Sequence, residues 1–242
     1  NTPKLPFIHD IQRKKIFNDS IKRASGIITV NKIVEKEMQI VSKWDIPVAY
    51  IPNGIPDNRS EDQPDIFTLS CTGRFFGNLN YPENLLKAIR ILKEKKIPFR
   101  MKFIGPADRR LYDDISLLGI EEYVVVTGPM RHDDVLAELR NSSMYFLYFD
   151  KRPLNFNQLS SKIWDYIGSC RPIMAVVSKL SPTAEIIRDM SLGDIVDDNE
   201  YDISEYIIDN IGAPSVILPF IEKHSWAART EELIRFIESC LK

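Results

Sequence analysis

The chain has 242 residues, 44% of them apolar and 27% charged, with a formal net charge of −2. That profile fits a soluble globular protein, either one large domain or one domain with part of a second, and gives no reason to expect a nucleic-acid partner. No apolar run approaches the roughly 20 residues of a membrane-spanning helix, the start lacks the apolar centre of a signal peptide, and Cys71, Cys170 and Cys240 form no CxxC pair, which suits reduced thiols in a cytoplasmic compartment.

Asn1-Thr-Pro-Lys4 carries no initiator methionine, so sequence upstream is expected. Basic residues gather next (Lys4, Arg13, Lys14, Lys15, Lys22, Arg23) and read as a solvated helix face, with peripheral contact to anionic lipid or a phosphorylated acceptor as the sharper alternative. His9-Asp10 follows the apolar run 5–8 and is expected at a strand end. Strands are predicted at 26–30 and 48–51. Pro52-Asn53-Gly54-Ile55-Pro56 and the polar stretch 57–65 then read as a boundary and linker. This divides the chain into a tail piece at 1–52, a linker at 53–65, a main unit at 66–212 and C-terminal helices at 213–242 that pack back across the domains.

Within the main unit, strands are predicted at 67–72, 100–104, 123–127, 144–148, 172–177 and 194–196. Several are apolar on both parities, as strands buried on both faces are. The clearest helix, 82–95, opens with Pro82 and carries Leu85, Leu86, Ile89 and Leu92 at helical spacing. Others are predicted at 133–140, with aspartates at the positive end of its dipole, and at 226–241. Strand–helix alternation at this spacing predicts an α/β fold with a doubly wound parallel sheet.

In such sheets ligands bind beyond the carboxyl ends of the strands, so the segments after each strand hold the candidate site. The first is Thr72-Gly73-Arg74-Phe75-Phe76-Gly77-Asn78: glycine lets backbone approach a ligand and arginine pairs bidentately with phosphate oxygens. The second, after 144–148, runs through Pro153, Asn155, Phe156, Asn157, Gln158 and Leu159 into a helix starting near Ser160 or Ser161. Those serines are expected to cap it and expose N–H groups to an anion. Lys162 lies in the first turn, where the dipole disfavours a cation, and so answers to an anion. Asp165 is placed to accept hydrogen bonds from two neighbouring sugar hydroxyls. Gly105, and the run Gly128-Pro129-Met130-Arg131, are either main-chain contacts to a base or ribose, or plain turns. His132 is expected to cap the helix at 133. His9, His132 and His224 lack metal-ligand spacing, and no HExxH, GxSxG, Walker lysine loop or GxGxxG occurs.

The order of segments resembles the group 1 (family 4) glycosyltransferases, which have the GT-B fold of two Rossmann-like domains. The resemblance covers roughly 20–240 and rests on Ala24-Ser-Gly-Ile-Ile-Thr-Val-Asn31, Ile51-Pro-Asn-Gly-Ile55, Thr72-Gly-Arg74, Phe103-Ile-Gly105, Gly128-Pro-Met-Arg-His-Asp-Asp-Val-Leu136 and Ser161-Lys-Ile-Trp-Asp-Tyr-Ile-Gly-Ser-Cys-Arg-Pro-Ile173. It implies retaining transfer of a sugar from a nucleoside diphosphate to a glycan or lipid-linked acceptor, with no metal or other cofactor. Arg74 would bind the diphosphate, with Lys162 as the residue to compensate for a lysine that the family carries elsewhere, Asp165 would hold the ribose, and residues 155–159 would meet the sugar and phosphate. The tail piece would be the remnant of an acceptor-side domain, which leaves an N-terminal domain or partner chain to be supplied. Two features depart from the pattern. The family's pair of glutamates is matched by Asn157 and Asp165, and its lysine after the first loop is missing, with Asn78 or Asn80 nearby. These departures favour a non-catalytic GT-B-like subunit with a degraded donor site; Gly73-Arg74 and the segment 162–165 favour the enzyme. A nucleotide-sugar epimerase would need carboxylates and histidines that the sequence does not place together.

Overall fold

The computed structural model describes residues 7–41, 46–60, 63–75, 81–150, 159–212 and 221–241. The chain divides into two compact units, one made of Asn1–Gly54 with Trp226–Lys242 and the other of Ile55–Ser225.

The smaller unit opens with helix α1 (Phe7–Arg23), so His9 and Asp10 lie in a helix and not at a strand end. No glycine or proline interrupts residues 7–23, and from the end of the short run that suggested a strand the pairs Ile8 and Ile11, and Phe17 and Ile21, stand three and four positions apart, as on a helix. Strand β1 (Ile27–Thr29) pairs in parallel with β2 (Val48–Tyr50), and helix α2 (Lys32–Val41) joins them. Asn31 starts α2 by accepting the Ile33 N–H on its side-chain oxygen at 2.8 Å.

The larger unit is a six-stranded parallel sheet. Its strands are β3 (Thr68–Thr72), β4 (Arg100–Ile104), β5 (Val124–Val126), β6 (Met144–Tyr148), β7 (Ile173–Val176) and β8 (Gly193–Ile195), in the spatial order β5-β4-β3-β6-β7-β8. Counted within the unit, that is third, second, first, fourth, fifth, sixth, the doubly wound arrangement in which strand order reverses between β3 and β6. Helices α3 (Glu83–Glu94), α4 (Arg109–Leu118) and α8 (Glu200–Asp209) bury Leu85, Leu86, Leu111, Ile115, Ile203 and Ile207 against one face. Helices α5 (His132–Arg140), α6 (Lys162–Gly168) and α7 (Pro182–Asp189) bury Leu139, Ile163, Trp164 and Ile187 against the other. Strands β6 and β7 are apolar on both parities because both faces are covered, whereas β3 alternates Leu69 and Cys71 with Thr68, Ser70 and Thr72, all of them buried.

Residues 57–60, expected as linker, are built into the larger unit. Asn58 is buried; its amide donates to Leu136 O at 3.0 Å and Ser169 Oγ at 2.9 Å, and its carbonyl accepts from Arg140 at 2.8 Å. Prolines and charges suggested a free segment, but Asn58 finds these partners on α5 and after α6, far away in sequence. Helix α9 (Trp226–Cys240) returns to the smaller unit and packs on the turn before β1, where a Cβ on Gly26 would stand 2.6 Å from Cys240 Sγ. Among the described residues, no helix is long and apolar enough to cross a membrane.

Candidate functional site

The reversal between β3 and β6 opens a crevice at their carboxyl ends. Leaving β3, the chain turns through Gly73 at φ +141°, and leaving β4 it turns through Gly105 at φ +133°, both in the region closed to most side chains. A Cβ on Gly105 would run into the Gly73 carbonyl oxygen, so the two backbones pass in direct contact. Gly73 N donates to Ile104 O at 2.9 Å and Phe75 N to Pro106 O at 3.0 Å. The Phe75 ring packs edge-on against Phe103 with centroids 4.9 Å apart. Arg74 is thus anchored on both sides while its side chain stays exposed.

Lys162 meets this turn from α6. A Cβ on Gly73 would run into the Lys162 ammonium, with Lys162 Cε 3.1 Å away. Arg74 and Lys162 line one cleft of about 110 Å³, whose walls include Cys71, Phe75, Tyr148 and Ser160. Burial pushes the Cys71 thiol up, and the nearby Lys162 charge opposes that shift. Among the described residues, no carboxylate lies within ion-pair reach of Arg74 or Lys162. Two cations thus face one partly apolar cleft without a carboxylate partner among the described residues, an arrangement whose field favours a negative charge.

The expected capped helix start does not form. Ser161 occupies the cap position of α6 but is itself α-helical (φ −63°, ψ −26°) and makes no side-chain capping bond. The helix contributes the side chains it carries. Asp165, one turn beyond Lys162, is half-buried, and burial holds its carboxyl above the ordinary range while the His132 charge pulls it down. His132 is the first residue of α5 and does not cap it; Arg131 stands at the cap position, also without a side-chain capping bond. The charge relation between His132 and Asp165, on helices 33 positions apart in sequence, had no signal in the sequence.

The remaining predicted residues distribute as follows. Gly128 adopts φ +75° and bridges Gly105 in antiparallel fashion; a Cβ there would meet nothing, so conformation and not crowding selects glycine. Thr127 Oγ1 accepts from Gly105 N at 3.2 Å and donates to Gly128 O at 3.0 Å. Met130 and Arg131 are exposed between the end of β5 and α5 and are not among the residues lining the Arg74–Lys162 cleft. Leu159 is half-buried against the core under α6. Asn78, Asn155, Phe156, Asn157 and Gln158 lie outside the described residues. Tyr148, missed in the sequence, lines the cleft and bonds Asp198 Oδ2 at 3.2 Å; burial and the Asp198 charge raise its pKa well above the tyrosine norm. Among the described residues, no group of three His, Cys, Asp or Glu stands together as a metal site.

No protein-family model matches the sequence, and no curated protein does. Solved structures do match. A glycosyltransferase from Rickettsia africae aligns over 96% of this chain and 67% of its own, at 14% identity and TM-score 0.68. Anabaena HepE, solved in complex with UDP and glucose, aligns over 94% and 67%, at 13% identity and TM-score 0.70. S. aureus TarM aligns over 93% and 46%, at 14% identity and TM-score 0.64. The fold is that of the GT-B glycosyltransferases. At these identities the likeness is one of fold, and the chain spans about half to two thirds of the length of these structures.

Proposed function

We propose that this chain is the donor-binding part of a nucleotide-sugar-dependent glycosyltransferase of the group 1 (family 4) kind. The observation that carries the reading is the meeting of Arg74 and Lys162, two cations without a carboxylate partner among the described residues, in one cleft at the strand-order reversal. In this reading the donor diphosphate spans the two. The guanidinium takes phosphate oxygens in bidentate fashion and the ammonium acts as a point charge. Transfer breaks the bond between the anomeric carbon and the diphosphate oxygen and joins that carbon to an acceptor hydroxyl, which loses its proton. Negative charge grows on the departing diphosphate, where fixed cations stabilise it most. Asp165 receives the ribose hydroxyls, Gly105 and the run 128–131 border the nucleoside, and residues 155–159 face the sugar.

The reaction is retaining hexosyl transfer to a glycan or lipid-linked acceptor in polysaccharide or cell-envelope synthesis, on the cytoplasmic side of the membrane. The acceptor side is completed by a further domain or partner chain. The GT-B fold, shared with HepE bound to UDP and glucose, supports this reading. Calorimetry with UDP, GDP and their sugars tests it. The expected result is micromolar binding that Arg74→Ala weakens about 10- to 100-fold, the worth of one or two charge-assisted hydrogen bonds. Failure of every nucleotide to bind would overturn it in favour of a non-catalytic subunit.

A further inference from the structure

In the parallel ladder, N–H groups alternate in direction along β3. Gly73 N points to β4, where it donates to Ile104 O at 2.9 Å. Thr72 N therefore points toward β6. Yet β6 pairs with β3 only at Leu69↔Met144 and Ser70↔Tyr145. Beyond Ser70 the two strands diverge to form the crevice, and the opening leaves the Thr72 N–H without a strand partner. Thr72 is only 8% exposed, so water offers little relief, and a buried N–H left unpaired is costly. The Tyr166 hydroxyl fills the gap: Thr72 N donates to it at 2.9 Å, and Thr72 Oγ1 lies 3.2 Å from the same oxygen.

Tyr166 belongs to α6, the helix that carries Lys162 and Asp165, and Thr72 immediately precedes Gly73-Arg74. The Tyr166 ring is fully buried and stacks on Tyr145 with centroids 4.5 Å apart and planes 18° from parallel. That stack leaves the hydroxyl little freedom to move. The Tyr145 hydroxyl bonds elsewhere, to Leu139 O at 2.9 Å.

We infer that Tyr166 is a positioning residue whose hydroxyl sets the separation between the Arg74 turn and the Lys162 helix. It thereby fixes the span over which a diphosphate is gripped. The inference rests on the donor-site reading above. Two backbone segments that are not adjacent in the ladder are joined at the cleft through this side chain. Removing its oxygen while keeping its ring releases the turn without opening a large cavity.

The test compares Tyr166→Phe with Tyr145→Phe, which removes one buried hydroxyl from the same stacked pair but leaves Thr72 bonded. Binding is measured by calorimetry with the tighter of UDP and GDP and with the matching monophosphate, and exchange of the Thr72 amide is followed by NMR. Tyr166→Phe is expected to weaken the diphosphate about tenfold, leave the monophosphate within about twofold, and speed Thr72 exchange about tenfold, the worth of one lost hydrogen bond. Tyr145→Phe is expected to change none of these beyond about twofold. Equal loss of both nucleotides, equal loss in both variants, or unchanged Thr72 exchange in Tyr166→Phe would overturn the positioning role. Absence of nucleotide binding in the wild-type protein would overturn the donor-site reading and the positioning role with it, an outcome distinct from wild-type binding that Tyr166→Phe leaves intact.

Discussion

Alanine at Gly128, Gly73 and Gly105 is expected to destabilise the protein in that rising order, because each position adds one physical cost to the last. At Gly128 (φ +75°) a new Cβ meets nothing, so the cost is the left-handed backbone alone, about 1–2 kcal/mol. At Gly73 (φ +141°) the backbone region is one that only glycine visits freely, and the new Cβ also displaces the Lys162 ammonium; the sum is about 2–3 kcal/mol, since a flexible side chain yields. At Gly105 (φ +133°) the new Cβ strikes the Gly73 carbonyl, whose residue is pinned by its 2.9 Å bond to Ile104 O and cannot retreat, so the cost exceeds about 3 kcal/mol. At roughly 2–4 °C per kcal/mol for a protein of this size, thermal unfolding followed by circular dichroism is expected to show Tm losses of about 4 °C, 8 °C and 10 °C or more. Combining Gly73→Ala with Lys162→Ala is expected to recover about 0.5–1 kcal/mol, because the displaced group is gone. A Gly105→Ala protein unfolding within about 2 °C of Gly128→Ala would refute the claim that the two turns are in rigid contact.

Two further substitutions probe the site and its support. Burial raises the Asp165 pKa above its ordinary 3.8, so the native state holds more protons than the unfolded chain between 3.8 and that raised value; stability falls as pH rises through this window and the penalty is complete above it. Asp165→Asn is therefore expected to raise Tm at neutral pH while weakening nucleotide binding, and a lowered Tm would contradict the assignment of burial as the cause. Asn58→Ala removes the bonds to Leu136 O, Ser169 Oγ and Arg140 and is expected to cost about 2–3 kcal/mol in urea unfolding; a loss under about 0.5 kcal/mol would show that residues 57–60 are not integral to the larger unit.

Much of the sheet was legible in the sequence. Strands β6 and β7 are continuous apolar runs, and the alternation of strands with helices such as 82–95 implies parallel winding. Single residues were legible where their chemistry is out of place: glycine directly after β3, and lysine in the first turn of α6. What escaped was long-range. The bond from Thr72 to Tyr166 spans 94 positions, and the partners of Asn58 lie 78, 82 and 111 positions away. Periodicity has no term for such pairings. Ser161 was misread as a cap because its residue type favours one, and His132 because it stands just before Asp133, where the helix was expected to begin; the backbone conformation that decides a cap is not written in residue type. Only the start of helix α1 was misread, with His9-Asp10 placed at a strand end, because four apolar residues in a row carry no period.

The most direct test of the account is the structure of the protein with bound UDP or GDP. The expected complex places diphosphate oxygens within hydrogen-bonding distance, about 3 Å, of both the Arg74 guanidinium and the Lys162 ammonium, at the carboxyl ends of β3 and β6. A nucleotide bound elsewhere, or one whose diphosphate touches neither cation, would contradict it.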